Sequence, residues 1–183
     1  MSVLGTIALV SGVLGVLFTI MQRIWCWPLA LISVLTSSIE FYEQRLYGDM
    51  ALQAFYFLAG IYGWYYWGKS KNKEFTITNT PASSWLIMLS ITIIQAFIYY
   101  FLLKKFNGDQ IVADAVLTAC SITATFMMTK KWIENWALWV LIDLAYVILY
   151  LKKDMPLFAV LYFVFSGMAA YGLYSWRIQR SSK

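Results

Sequence analysis

The sequence predicts an all-α polytopic membrane protein with seven transmembrane helices. Two features of composition and one of pattern carry this. Of 183 residues, 61% are hydrophobic and only 13% charged, whereas soluble domains run to about 45–50% apolar and about 25% charged residues. Mean hydropathy is +0.66. The apolar residues gather into runs of about 20, the length that crosses the hydrocarbon core of a bilayer, separated by short polar connections. The net charge of +5 comes from lysines and arginines that fall between these runs and form no stripe within one. They read as topology signals for a chain in contact with lipid and not with nucleic acid.

Taken in order, the first run, Ser2–Met21, has no basic residue before it and no small-residue cleavage site. It reads as a retained helix and not as a signal peptide. Trp25–Tyr42 and Asp49–Trp67 follow. The polar stretch Gly68–Ser83, with Lys69, Lys71, Lys73 and the turn-favouring Asn79-Thr80-Pro81, reads as a linker. Beyond it lie Ser84–Leu103, Asp109–Thr129, Lys131–Tyr150 and Pro156–Trp176. Short connections make successive helices antiparallel neighbours. With an odd number of spans, Arg23, Lys69, Lys71, Lys73, Lys130, Lys131, Arg177, Arg180 and Lys183 share one side against Arg45, Lys104, Lys105, Lys152 and Lys153 on the other. That imbalance places the C-terminus in the cytoplasm and the N-terminus outside.

A self-match runs through the chain at a constant offset of 109 residues. Trp27 falls on Trp136, Leu52 on Leu161, Tyr56 on Phe165, and Tyr62-Gly63-Trp64-Tyr65-Tyr66-Trp67 on Tyr171-Gly172-Leu173-Tyr174-Ser175-Trp176. The offset spans an even number of helices, so the two matching three-helix halves point the same way. The result is a 3+1+3 parallel-repeat arrangement: residues 1–67 as the first repeat, 68–103 as the linker and inverting fourth helix, and 104–183 as the second repeat with the C-terminal tail.

Within the sixth run, Trp136, Trp139 and Asp143 stand at i, i+3 and i+7, on one side of a helix that Tyr146 and Tyr150 extend. A charge at that depth costs about 2.5–3.5 kcal/mol and marks a functional site. Gln53, Tyr56, Gly60 and Trp64 form a second stripe, and Thr118 lies deep in the fifth run. Together Trp136, Trp139, Asp143, Gln53, Tyr56 and Thr118 are the candidate binding residues. Gly60 and Gly63 read as close-packing positions, Trp132 as an interfacial anchor, Asp114 as a helix-start carboxylate, Glu40 with Arg45 as an interfacial ion pair, and Gln95, mid-span in the linker helix, as an oligomer contact as readily as anything else. There is no histidine, no nucleophile paired with a base, no metal-ligand cluster and no Walker-type loop. Cys26 and Cys120 imply no disulfide framework. An enzyme, a metal and a cofactor are therefore not expected.

The segment Glu134-Asn135-Trp136-x-x-Trp139-x-x-x-Asp143 resembles the W-x-x-W-x-x-x-N signature of the PnuC family of vitamin transporters. Asp114-Ala115 with Thr118 and Ser121, Met50–Tyr56 and Tyr62–Trp67 are similar to other runs of that family. The resemblance implies a SWEET-like three-plus-one-plus-three carrier, a homotrimer in the bacterial plasma membrane. Such a carrier would take up nicotinamide riboside, or in related branches thiamine or riboflavin, by facilitated diffusion, with a cytoplasmic kinase trapping the vitamin. Asp143 stands where the nicotinamide riboside signature has asparagine. An ionised aspartate accepts hydrogen bonds and adds a charge that asparagine lacks, which favours the fixed cations thiamine and nicotinamide riboside, thiamine slightly, over riboflavin. A sugar carrier of the same architecture gives no reason for a carboxylate beside two indoles.

Overall fold

In a computed structural model the chain is described over residues 3–43, 47–69, 76–105, 110–152, 154 and 156–181. Seven helices appear, α1 Val3–Ile20, α2 Cys26–Glu43, α3 Tyr47–Lys69, α4 Ala82–Lys105, α5 Ile111–Thr129, α6 Glu134–Lys152 and α7 Pro156–Ser181. Each expected span has its helix. The third continues past Trp67 to Lys69, so the polar connection begins later than its composition suggests. Among the described residues the sole strand-like feature is one parallel bridge between Thr78 and Trp132. The side chain of Glu40 and the whole of Arg45 lie outside the described residues.

Helices dominate because lipid offers no partner to a backbone N–H or C=O, and an α-helix satisfies its own. In α1, α4, α5, α6 and the Phe158–Ser181 part of α7 the sequence is long and apolar enough to cross a bilayer, and Cys26–Ile39 of α2 is a shorter apolar run. α3 is rich in tyrosine and tryptophan, residues that suit the boundary of a membrane better than its centre.

The helices gather into two compact units, Met1–Thr76 and Ile77–Lys183. In the first, α2 packs between α1 and α3. Ser33 of α2 donates to the carbonyl of Ala8 in α1 at 2.8 Å, across from Gly12, where an added Cβ would lie 3.1 Å from the Ser33 hydroxyl. In the second, α4, α5, α6 and α7 pack in chain order. Thr92 of α4 and Thr123 of α5 share a hydrogen bond at 2.6 Å. No residue of α4 is buried, as expected of a helix whose apolar side chains face lipid.

One local arrangement occurs in both units at the 109-residue separation. Gln22 and Lys131, ahead of α2 and α6, both adopt the left-handed backbone conformation, with φ of 53° and 55°. Such a conformation costs a non-glycine residue roughly 1–3 kcal/mol, so the surrounding contacts must over-determine it. Beyond these turns, Trp27 meets Trp67 edge-on at 5.4 Å and 88°, and Trp136 meets Trp176 at 5.4 Å and 89°. Each first indole lies over a glycine. A Cβ on Gly63 would come within 2.3 Å of the Trp27 ring, and one on Gly172 within 2.7 Å of Trp136. Gly60 does the same for Leu31, at 2.8 Å.

The ring atoms that meet such a Cβ are rigid, so Gly63→Ala and Gly172→Ala must push α2 from α3 or α6 from α7. Each substitution is expected to destabilise the protein by about 1–3 kcal/mol. The check is the thermal unfolding midpoint of purified protein in detergent, with Gly167→Ala as control, because a Cβ there meets nothing within 4 Å.

Candidate functional site

α6 begins with Glu134 and Asn135. Asn135 is fully buried and folds back to donate its side-chain amide to the carbonyl of Trp132 at 2.6 Å. The helix then presents Trp136, Trp139 and Asp143, which differ in what they meet. Trp136 is 2% exposed, enclosed by Trp176 and Gly172 of α7. Its indole N–H, like that of Trp27, is buried without a hydrogen-bond partner, so the ring serves through its volume. Trp139 is half-buried and packs on the α5–α6 cluster of Leu117, Ala124, Ile142 and Leu149. At 3.6 residues per turn, Asp143 projects between the directions of these two indoles. It is 5% exposed, and no hydrogen bond or ion pair joins it to another described residue.

Beyond Asp143 the same side of α6 becomes a group of rings shared with α7. Tyr146 lies 4.7 Å from Tyr162, and Tyr150 lies 5.2 Å from both Tyr162 and Phe158. Interplanar angles of 21° to 30° make these near-parallel contacts. Phe165 closes the group against Tyr162 at 6.2 Å. A buried carboxylate bordered by flat π-faces is chemically suited to a flat cation, which gains from both the charge and the ring quadrupoles.

Of the other candidates, Thr118 is half-buried on α5, next in sequence to Leu117 of the cluster that Trp139 packs on. Gln53 and Tyr56 belong to the first unit, both half-buried on α3. The second unit thus gathers Trp136, Trp139 and Asp143 on α6 with Thr118 on the adjoining α5, and α3 carries Gln53 and Tyr56 in one stripe. Asp114 lies in the first turn of α5, where a carboxylate complements the helix dipole. Gln95 is partly buried on α4, with its side-chain oxygen unpartnered. Trp132 rests edge-on against Phe126.

The sequence reading did not pick out Tyr162, the ring that joins Tyr146 to Tyr150. The offset held the signal, because it sets Tyr162 opposite Gln53 and Phe165 opposite Tyr56. A cleft of about 410 Å³ opens beside the first turn of α6, lined by Glu134, Ala137, Leu173 and Arg177 among others. Neither Trp139 nor Asp143 is among the described residues that line it.

Seven helices with a buried carboxylate and an aromatic face inside a spanning segment describe a polytopic membrane protein of the solute-carrier kind. The family model described as nicotinamide mononucleotide transporter matches residues 2–178, and the chain belongs to that family of membrane transporters. It is 31% identical to the nicotinamide riboside transporter PnuC of Escherichia coli, over 94% of this chain and 82% of that one. It is 23% identical to the riboflavin/roseoflavin transporter RibM of Streptomyces davaonensis, over 96% and 87%. A crystal structure of the vitamin B3 transporter PnuC shares the fold, with a TM-score of 0.79 over 98% of this chain and 82% of that one at 24% identity.

The two indoles separate by experiment. Trp136→Ala opens a cavity that neighbouring rings cannot fill, at roughly 24 cal/mol per Å³, and should lower stability by about 3 kcal/mol. Trp136→Phe loses no hydrogen bond and should lower it by less. Trp139→Ala, at a half-buried position, should cost less than Trp136→Ala. Unfolding midpoints of the three variants in one detergent give the ranking.

Proposed function

We propose that the chain carries a water-soluble vitamin with a charged aromatic ring, nicotinamide riboside or thiamine, across the bacterial inner membrane by facilitated diffusion. The observation that carries this reading is Asp143, a carboxylate buried inside a spanning helix, on the side of α6 that also carries Trp139, Tyr146 and Tyr150. Trp139 stacks on the vitamin ring and Asp143 pairs with its fixed charge, an attraction worth roughly 2 kcal/mol or more once water is excluded. Trp136, packed on Trp176 and Gly172 of α7, holds α6 in place. Thr118 on α5, with Gln53 and Tyr56 on α3, supplies hydrogen bonds to hydroxyl or amide groups.

Alternating access follows from rocking of two three-helix halves of parallel orientation about that site, with α4 as the inverting connection. The turn, indole pair and glycine that occur in both units support two halves of one design. The excess of basic residues on the C-terminal side supports a cytoplasmic C-terminus. Phosphorylation of the vitamin by a cytoplasmic kinase makes net uptake one-way, and the carrier assembles as a homotrimer. The names of the Escherichia coli and Streptomyces davaonensis relatives support vitamin transport and leave riboflavin as a second reading. Riboflavin lacks the fixed charge that Asp143 would pair with.

Calorimetric titration of purified protein with thiamine, nicotinamide riboside and riboflavin is the test. Trp139→Ala should abolish binding of the true substrate while the protein still inserts and folds. Asp143→Asn should weaken a fixed cation about ten-fold or more and leave riboflavin unaffected. Unchanged affinity in Trp139→Ala sinks the proposed site. Equal affinity of Asp143→Asn for nicotinamide riboside makes position 143 a hydrogen-bonding position whose charge is incidental.

A further inference from the structure

Glu134 belongs to the tryptophan motif by sequence yet stands apart from the ring-lined face. Its carboxylate reaches back to residues 76–81, which lead into α4. The Thr80 backbone N–H and the Thr80 hydroxyl both donate to Glu134 Oε2 at 2.8 Å, and Thr80 is 6% exposed. Beside this pair, Thr78 N–H donates to the carbonyl of Lys131 at 3.2 Å, and Ile133 N–H donates to the carbonyl of Thr78 at 2.9 Å. Ile77 is 5% exposed. Asn79 accepts from the Arg180 guanidinium at the end of α7. Pro81 then accepts from Ser84 N–H at 2.9 Å as α4 begins. A segment that reads as a polar linker is thus fastened at one end of the second unit to the α5–α6 turn, the start of α6 and the end of α7.

The fastening matters most to α4. That helix buries no residue, packs along α5, and in lipid gains little from apolar contact, since lipid tails are as apolar as its partner. We infer that Glu134 and Thr80 form a clasp that makes the start of α4 move with α6, so that Glu134 is a positioning residue for turnover and not a contact of the vitamin. The inference rests on the reading above, in which the halves rock against each other. A two-state element passes on only the free energy that distinguishes its states. If the clasp opens, α4 shifts separately from α6, and part of the population leaves the productive cycle. The site at Trp139 and Asp143 is deeper along α6, so equilibrium affinity for the vitamin stays as it was.

The test is vitamin uptake into proteoliposomes containing equal amounts of folded protein, alongside titration in detergent and hydrogen–deuterium exchange over residues 76–84. Glu134→Ala removes the acceptor of both Thr80 bonds. It should lower the maximal rate about ten-fold with unchanged dissociation constant and lost protection at residues 76–84. Thr80→Val, which keeps the backbone bond, should fall between Glu134→Ala and the native protein. Thr80→Ser and Glu134→Gln, whose hydroxyl and amide oxygen restore the donor and the acceptor, should recover rate and protection. A native maximal rate in Glu134→Ala with protection lost overturns the inference, as does a loss of affinity equal to the loss of rate. Should Glu134→Ala fail to fold, the comparison of Thr80→Val with Thr80→Ser decides by the same criteria. If the native protein takes up no vitamin, the transport reading fails by itself. The clasp is then judged by exchange alone, and unchanged protection in Thr80→Val refutes it.

Discussion

Helix contact in a bilayer has little hydrophobic drive behind it and depends on shape, on how closely two backbones approach and what fills the space between them. Here an indole laid over a glycine and set edge-on against a second indole fixes α2 to α3 and, again, α6 to α7. The contact accepts no larger residue at Gly63 or Gly172, and neither indole N–H of Trp27 or Trp136 has a partner. Packing volume alone explains such a contact. For α6 the consequence is a fixed rotation about its own axis. With Trp136 committed to α7, Trp139 is turned onto the α5–α6 cluster and Asp143 is held between the two directions. Aromatic residues can give shape complementarity in lipid more cheaply than flexible side chains, because few rotatable bonds must be frozen.

The aromatic face of the candidate site rests on packing of the same kind. Tyr146, Tyr150, Tyr162, Phe158 and Phe165 support one another through near-parallel and edge contacts, so the aromatic face does not depend on a ligand to exist. On the proposed function, a preformed surface of this kind would spend little binding energy on ordering the protein.

Much of the architecture was legible because the bilayer restricts the alternatives. Apolar runs of spanning length mark helices, and the helix limits fell within a few residues of the runs. The stripe of Trp136, Trp139 and Asp143 was legible for the same reason, as helical periodicity puts residues on a side. Which neighbour covers each of them was not. Trp136 and Trp139 have identical side chains three positions apart, and what separates them, 2% exposure against a half-buried ring, is decided by Gly172 and Trp176 thirty-six and forty positions later in sequence. The partners of residues 76–81 were hidden for a related reason. Asn79-Thr80-Pro81 is turn chemistry, and nothing local announces that the Thr80 hydroxyl and N–H meet Glu134, a partner 54 residues away.

The same offset that repeats the packing does not repeat the chemistry. Trp27, Gly63, Trp67 and the left-handed Gln22 have their counterparts in Trp136, Gly172, Trp176 and Lys131. Trp139, Asp143 and Thr118, by contrast, stand opposite Ala30, Val34 and Leu9, and Gln53 and Tyr56 stand opposite Tyr162 and Phe165. Packing residues therefore recur at the 109-residue offset, while each candidate binding residue named here stands opposite a different residue type. A second carboxylate, at position 34, would add a further desolvation cost inside the membrane. Among the described residues Asp143 is the one buried acid, so that cost is met once.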